Sequence, residues 1–120
     1  MNETKYLPVE FMVESLSQRE VVVTFEKAII AIDLLAKEGF APSCWEGWLL
    51  FSNGSKGHSM LHQGTEEILQ NQNETWNEFT LRAREYFVET ATKSQKEFVA
   101  SPEKPDSKLF FCLSFAREEK

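Results

Sequence analysis

Cysteine is scarce in this chain: Cys44 and Cys112 are the only two in 120 residues. That is too few for a disulfide framework, and their separation does not suit a zinc ligand pair. A reducing compartment is the expectation. The two histidines, His58 and His62, belong to no His-Glu-x-x-His metal motif. No apolar run can span a membrane, because the longest helical one, Ala28 to Ile32, is cut by Asp33. The opening Met1-Asn2-Glu3-Thr4-Lys5-Tyr6 lacks a basic segment followed by an apolar one, so no secretory leader is expected and a cytoplasmic protein is. Basic residues are the minority charge, thirteen against nineteen acidic, which gives a net charge of −6. An extended phosphate backbone would be repelled, so direct nucleic-acid binding is disfavoured. An acidic surface steers a basic partner toward it, although mild acidity also serves solubility alone.

What the chain does hold is apolar bulk. Hydrophobic residues make up 42% and aromatics 12%, with ten phenylalanines. A chain of this length buries roughly two-thirds of its unfolded surface, so residues 1–120 are expected to form one self-sufficient domain.

The most distinctive stretch is Cys44-Trp45-Glu46-Gly47-Trp48-Leu49-Leu50-Phe51-Ser52-Asn53-Gly54. It reads as a strand entering a tight Asn-Gly hairpin of type I′. Period-two alternation sends Trp45, Gly47, Leu49 and Phe51 to one face and Glu46, Trp48, Leu50 and Ser52 to the other. Both faces carry apolar bulk, which suits a central or covered strand. His58-Ser59-Met60-Leu61-His62 then reads as the short return strand.

Before this hairpin, residues 7–14 alternate loosely and read as a first strand opened by Pro8. Ser17-Gln18-Arg19-Glu20 has the form of a capping box. A helix is expected from there, with Val21, Phe25, Ala28, Ile29, Ile32, Leu35 and Ala36 on its buried face and Gly39 at its end. The competing reading makes Val21-Val22-Val23 a strand, since consecutive β-branched residues lose rotamer freedom in a helix, and caps a shorter helix at Thr24.

After the hairpin, Thr65 is expected to cap a brief helix over residues 66–70. A long helix follows from an Asn73 or Thr75 cap, carrying Trp76, Phe79, Ala83, Tyr86, Phe87 and Thr90 inward and running out near Phe98. Residues 101–107 read as a loop, residues 109–115 as a final buried strand and residues 117–120 as a frayed tail. The fold class is therefore α+β: a mainly antiparallel sheet with two long helices packed against it.

Candidate sites are few. His58 and His62, four apart, could face Glu66 and Glu67 across a hairpin and supply acid/base chemistry, with a solvated hairpin as the plain alternative. Cys44 could be a nucleophile with either histidine as base, but no family signature surrounds it. Gly54-Ser55-Lys56-Gly57 lacks the span and ending of a P-loop, and a hairpin explains it better. Glu74, Glu78, Glu85 and Glu89, with Arg82 and Lys93 interleaved, trace one stripe of the long helix, either a solvated face with internal ion pairs or a docking surface. Trp45 and Trp48 point to opposite faces, so one is core and the other lies under a helix or meets a partner. No metal or other cofactor is called for.

Glu38-Gly39-Phe40, Trp45-Glu46-Gly47-Trp48 and the Asn53-Gly54 turn together resemble small bacterial immunity proteins of polymorphic and contact-dependent toxin systems. Immunity protein family 40 is similar over residues 25–54, through a helix, a glycine and a Trp-Glu-Gly-Trp strand. The resemblance implies a non-enzymatic inhibitor that binds a cognate toxin domain, often a basic nuclease, with no cofactor and no membrane role. On physical grounds Glu46 and Trp48 are the first partner-binding candidates, followed by Glu66, Glu67 and Trp45. The chain itself is expected to be a monomer or weak dimer. A small enzyme built on His58, His62 and Glu66 or Glu67 is the alternative, as is a regulatory adaptor resembling the SUKH group.

Overall fold

The computed structural model describes residues 3–119. Met1 and Asn2 of the leader reading, and Lys120 of the expected tail, lie outside them. Two long strands occupy the middle of the sheet: β2 (Phe40–Phe51) and β4 (Ser107–Arg117) pair antiparallel from Phe40 opposite Arg117 to Phe51 opposite Ser107, with one irregularity between Pro42 and Cys44. Proline has no amide to give a ladder, so a bulge is where a mid-strand proline is tolerated. Two three-residue strands complete the order β1-β4-β2-β3, with β1 at Val21–Val23 and β3 at Lys56–His58.

Two helices, α2 (Phe25–Ala36) and α3 (Trp76–Ala100), pack on one face of this antiparallel sheet, and a single turn of helix, α1 (Val9–Val13), closes its end. The fold class expected from the sequence is the one observed. Trp45, Leu49, Phe111 and Leu113 meet Ile32, Leu35, Phe87 and Ala91 in the main core. Aromatic rings tile it at steep angles: Trp45 lies tilted 4.9 Å from Phe111, and Phe25 lies edge-on 5.9 Å from the same ring. Thr75 caps α3 with a complete capping box, accepting from the Glu78 amide while the Glu78 carboxylate accepts from the Thr75 amide.

Several local expectations are corrected. Within residues 7–14, where a strand was expected, Val9–Val13 are helical: Pro8 precedes α1, whose turn buries Phe11 and Met12 and leaves Val9 and Val13 78% and 73% exposed. The helix expected from Ser17 begins at Phe25. Val21–Val23 form the strand of the competing reading, because they pair with Phe111–Leu113 and so satisfy backbone groups of β4 that a helix would leave open. The Ser17 hydroxyl accepts from the Arg19 amide, so the Ser-x-x-Glu match is a local turn. Thr24 is the N-cap, by backbone conformation alone.

The hairpin turn is not type I′, since Gly54 alone in it has positive φ. Gly54 donates to the Phe51 carbonyl and Phe51 to the Ser55 carbonyl, the pattern of a three-residue loop with its left-handed residue at glycine. The return strand ends at His58, four residues short of the expected His62. Arg117 belongs to β4, and Glu118 donates to the Gly39 carbonyl, so the tail is tied in there.

No helix follows Thr65. Residues 59–68 instead run as an irregular strap along the outer edge of β2. Ser59 donates to the Gly47 carbonyl, Gly47 to the His62 carbonyl, Thr65 to the Trp45 carbonyl and Ile68 to the Ser43 carbonyl. This closeness explains two glycines. A side chain on Gly47 would run into the His62 carbonyl, and one on Gly64, at φ +102°, would run into the Trp45 carbonyl. The glycine of the Trp-Glu-Gly-Trp motif is therefore a packing requirement of the strap.

Gly47→Ala and Gly64→Ala should each destabilise the fold by about 2 kcal/mol or more in urea unfolding, because neither contact can relax without moving backbone. Gly54→Ala, with open space around it, should cost only about 1 kcal/mol through its left-handed φ.

Candidate functional site

The sheet face opposite the helices carries the one cluster that joins charged, aromatic and imidazole groups among the leading candidates. The alternation of β2 sends Cys44, Glu46, Trp48 and Leu50 to this side. Register places Glu46 opposite Cys112, and Trp48 between Phe110 and His58. The Trp48 indole donates to Glu46 Oε1 at 3.2 Å. His58 stands edge-on to the same indole at 5.3 Å, with Nδ1 3.9 Å from Glu46 Oε1. Glu46 thus anchors the Trp48 indole, with the His58 ring alongside, while its own side chain stays 51% exposed.

Beneath this cluster Val22, Phe110 and Cys112 form a small apolar layer, completed by Leu16, Trp48 and Leu50. Lys56 Nζ donates to the Leu16 carbonyl at 2.9 Å and ties the preceding loop to β3. The Cys112 thiol donates to Glu20 Oε1 at 3.6 Å. Burial, reinforced by the nearby Glu20 and Glu46 carboxylates, pushes that thiol far up, so it stays protonated and unreactive. The assembly offers an oriented carboxylate, a half-buried indole and an exposed imidazole. That set accepts hydrogen bonds from a guanidinium or ammonium group and stacks against it.

The remaining expected site residues are placed elsewhere. Trp45 is only 3% exposed, faces the helices and donates to Thr90 Oγ1 at 2.9 Å, so the native fold gives it no contact with a partner. His62 is buried against Phe98 of α3, at 5.9 Å between rings, on the opposite side of the sheet from His58. Glu66 and Glu67 are exposed on the strap between Thr65, which bonds Trp45, and Ile68, which bonds Ser43. Along β2 that is about 13–16 Å from Trp48 and His58, at about 3.3 Å per residue. His58, His62, Glu66 and Glu67 are therefore not brought together. Cys44 lies a similar distance, about 13 Å, from Trp48 and its neighbour His58, and the sheet separates it from His62. Among the described residues no group of three or more His, Cys, Asp or Glu side chains could hold a metal ion. No helix is long and apolar enough to cross a membrane.

A carboxylate missing from the sequence reading proves structurally decisive. Glu103, from the loop before β4, accepts from the Ser59 hydroxyl at 2.6 Å and from the Met60 and Leu61 amides at 2.8 and 3.3 Å. Its burial raises the carboxyl's affinity for a proton, but these three donors and nearby His62 outweigh that and hold it below the usual carboxylate range. The anion fixes the turn that starts the strap. Only its place in a polar loop marked Glu103, which is no signal of a partner more than forty residues away.

The sign of the pH dependence follows. A depressed carboxyl stabilises the fold above its unfolded value near pH 4.3, and that contribution is lost as pH falls through the lower folded value. Thermal unfolding should show Glu103→Gln destabilised by about 1–3 kcal/mol at pH 7, with the gap to wild type closing at the acid end. A gap that persists unchanged at the acid end would contradict the anionic role of Glu103. In comparisons with protein-family models, curated proteins and solved structures, the chain matches none of them.

Proposed function

We propose that this chain is a non-enzymatic immunity protein that binds and neutralises a basic bacterial toxin domain in the cytoplasm. The observation that carries the reading is the Glu46–Trp48–His58 cluster: an indole held by a carboxylate on the sheet face that the helices leave open. An aromatic anchor beside a preorganised carboxylate is what an interface with arginine or lysine side chains uses, since little side-chain freedom remains to be lost on binding. The net charge of −6 speeds approach to a basic domain. The dispersal of His58, His62, Glu66 and Glu67 supports the non-enzymatic half of the reading. The free Cys44 and Cys112 fit a reducing compartment. The likeness of residues 25–54 to immunity protein family 40 supplies the partner class.

Co-expression with the polypeptide encoded beside this gene tests the proposal. A complex that co-purifies and restores growth is expected, and absence of both complex and toxicity would overturn it. Glu46→Lys should weaken that complex by about tenfold or more at low salt, and by less as salt rises, with the melting curve preserved. His58→Ala, which removes one ring of the cluster, should weaken the complex without abolishing protection. Loss of protection in a folded, complex-forming His58→Ala variant would favour the enzymatic alternative.

A further inference from the structure

We infer that the seam between the strap and α3 is a second protein-docking surface, built for a partner that presents basic side chains around an apolar anchor. Two large apolar side chains stand out on this seam: Leu69 is 70% exposed and Tyr86 38%. The seam is firm. Arg82 Nη2 donates to the Leu69 carbonyl at 2.7 Å, and Ile68 packs on Phe79 and Ala83. The strap's Thr65 shares one small cleft with Tyr86.

Charge selects the occupant. Glu66 and Glu67 on the strap, and Glu78, Glu85 and Glu89 on α3, are all exposed around these apolar groups. Arg82 is spent on Glu74, to which its Nε and Nη2 donate at 2.7 and 2.8 Å. Arg84 lies on the other flank of α3, bound to Asp33 at 2.7 Å. The seam therefore gathers five carboxylates against the exposed Lys93 and Lys96 at its far end, in a chain whose net charge is −6. A basic protein surface complements this field, and an apolar side chain at its centre covers Leu69 and Tyr86. A second copy of this acidic chain would be repelled.

The surface is read from charge and exposure, and it rests on the proposed function only for the identity of the partner. Its test uses the 15N-labelled chain titrated with a helical peptide of lysine and leucine, followed by amide chemical shifts. The expected result is saturable shifts centred on Leu69, Glu85, Tyr86 and Glu89. Affinity should fall about tenfold in Glu85→Lys/Glu89→Lys and also in Leu69→Ser, in variants whose spectra remain folded. Shifts centred on Glu46 and Trp48, equal shifts with spermine in place of the peptide, or a dimer that protects these same residues would each overturn the proposal. The two readings fail separately. A mapped seam with no toxin complex removes the immunity role alone, and a toxin complex indifferent to Glu85→Lys/Glu89→Lys removes the seam.

Discussion

The ladder between β2 and β4 is the constraint from which the rest of the molecule is hung. It runs the full length of both strands and fixes which side chains meet the helices and which do not. A slip of one residue would exchange Trp45 and Leu49 with Glu46 and Trp48, placing a carboxylate in the main core and two of its largest anchors in water. The irregularity at Pro42 confines its missing amide to one step, so the ladder holds its register through Trp45 and beyond.

On that frame the two tryptophans of one motif serve different ends. Trp45 is locked into the core by Phe111 at 4.9 Å and by its bond to Thr90, and it joins the sheet to α3. Trp48, three residues on, is the wall of a polar cluster. Between them, Gly47 lets the strap approach. The motif is legible as structure before it is legible as binding: one residue packs, one makes room and two look outward.

The regular parts of the fold could be read from local pattern. Apolar spacing in α3 and the Thr75 capping box agree with each other, and the alternation of β2 needs no distant information. The start of α2 could not be read so. Val21–Val23 fit either state, and only the unpaired backbone of β4, ninety residues later, decides for a strand. The apolar residues 7–14 fit period two by number, while burial of the adjacent Phe11 and Met12 reveals a turn of helix. The strap was the least legible part, since its course depends on hydrogen bonds to β2 and on Glu103, none of them neighbours in sequence. For the site, the Glu46–Trp48 proximity follows from their i, i+2 spacing on a strand. The separation of His58 from His62 does not, because the chain leaves the ladder after His58 and re-enters the other side of the sheet.

The strap and the Ser15–Leu16 loop also bear on colloidal behaviour. Leu16 donates to the Val22 carbonyl and the Val22 amide donates to Ser15 Oγ, so the outer rim of β1 is occupied. The strap does the same for β2 from Ser43 to Gly47, and β3 extends the rim for only three residues. A sheet whose central strands are long and apolar is a ready template for strand addition by another chain. Here irregular backbone consumes the rims, so two such molecules meeting edge to edge find little continuous ladder to join.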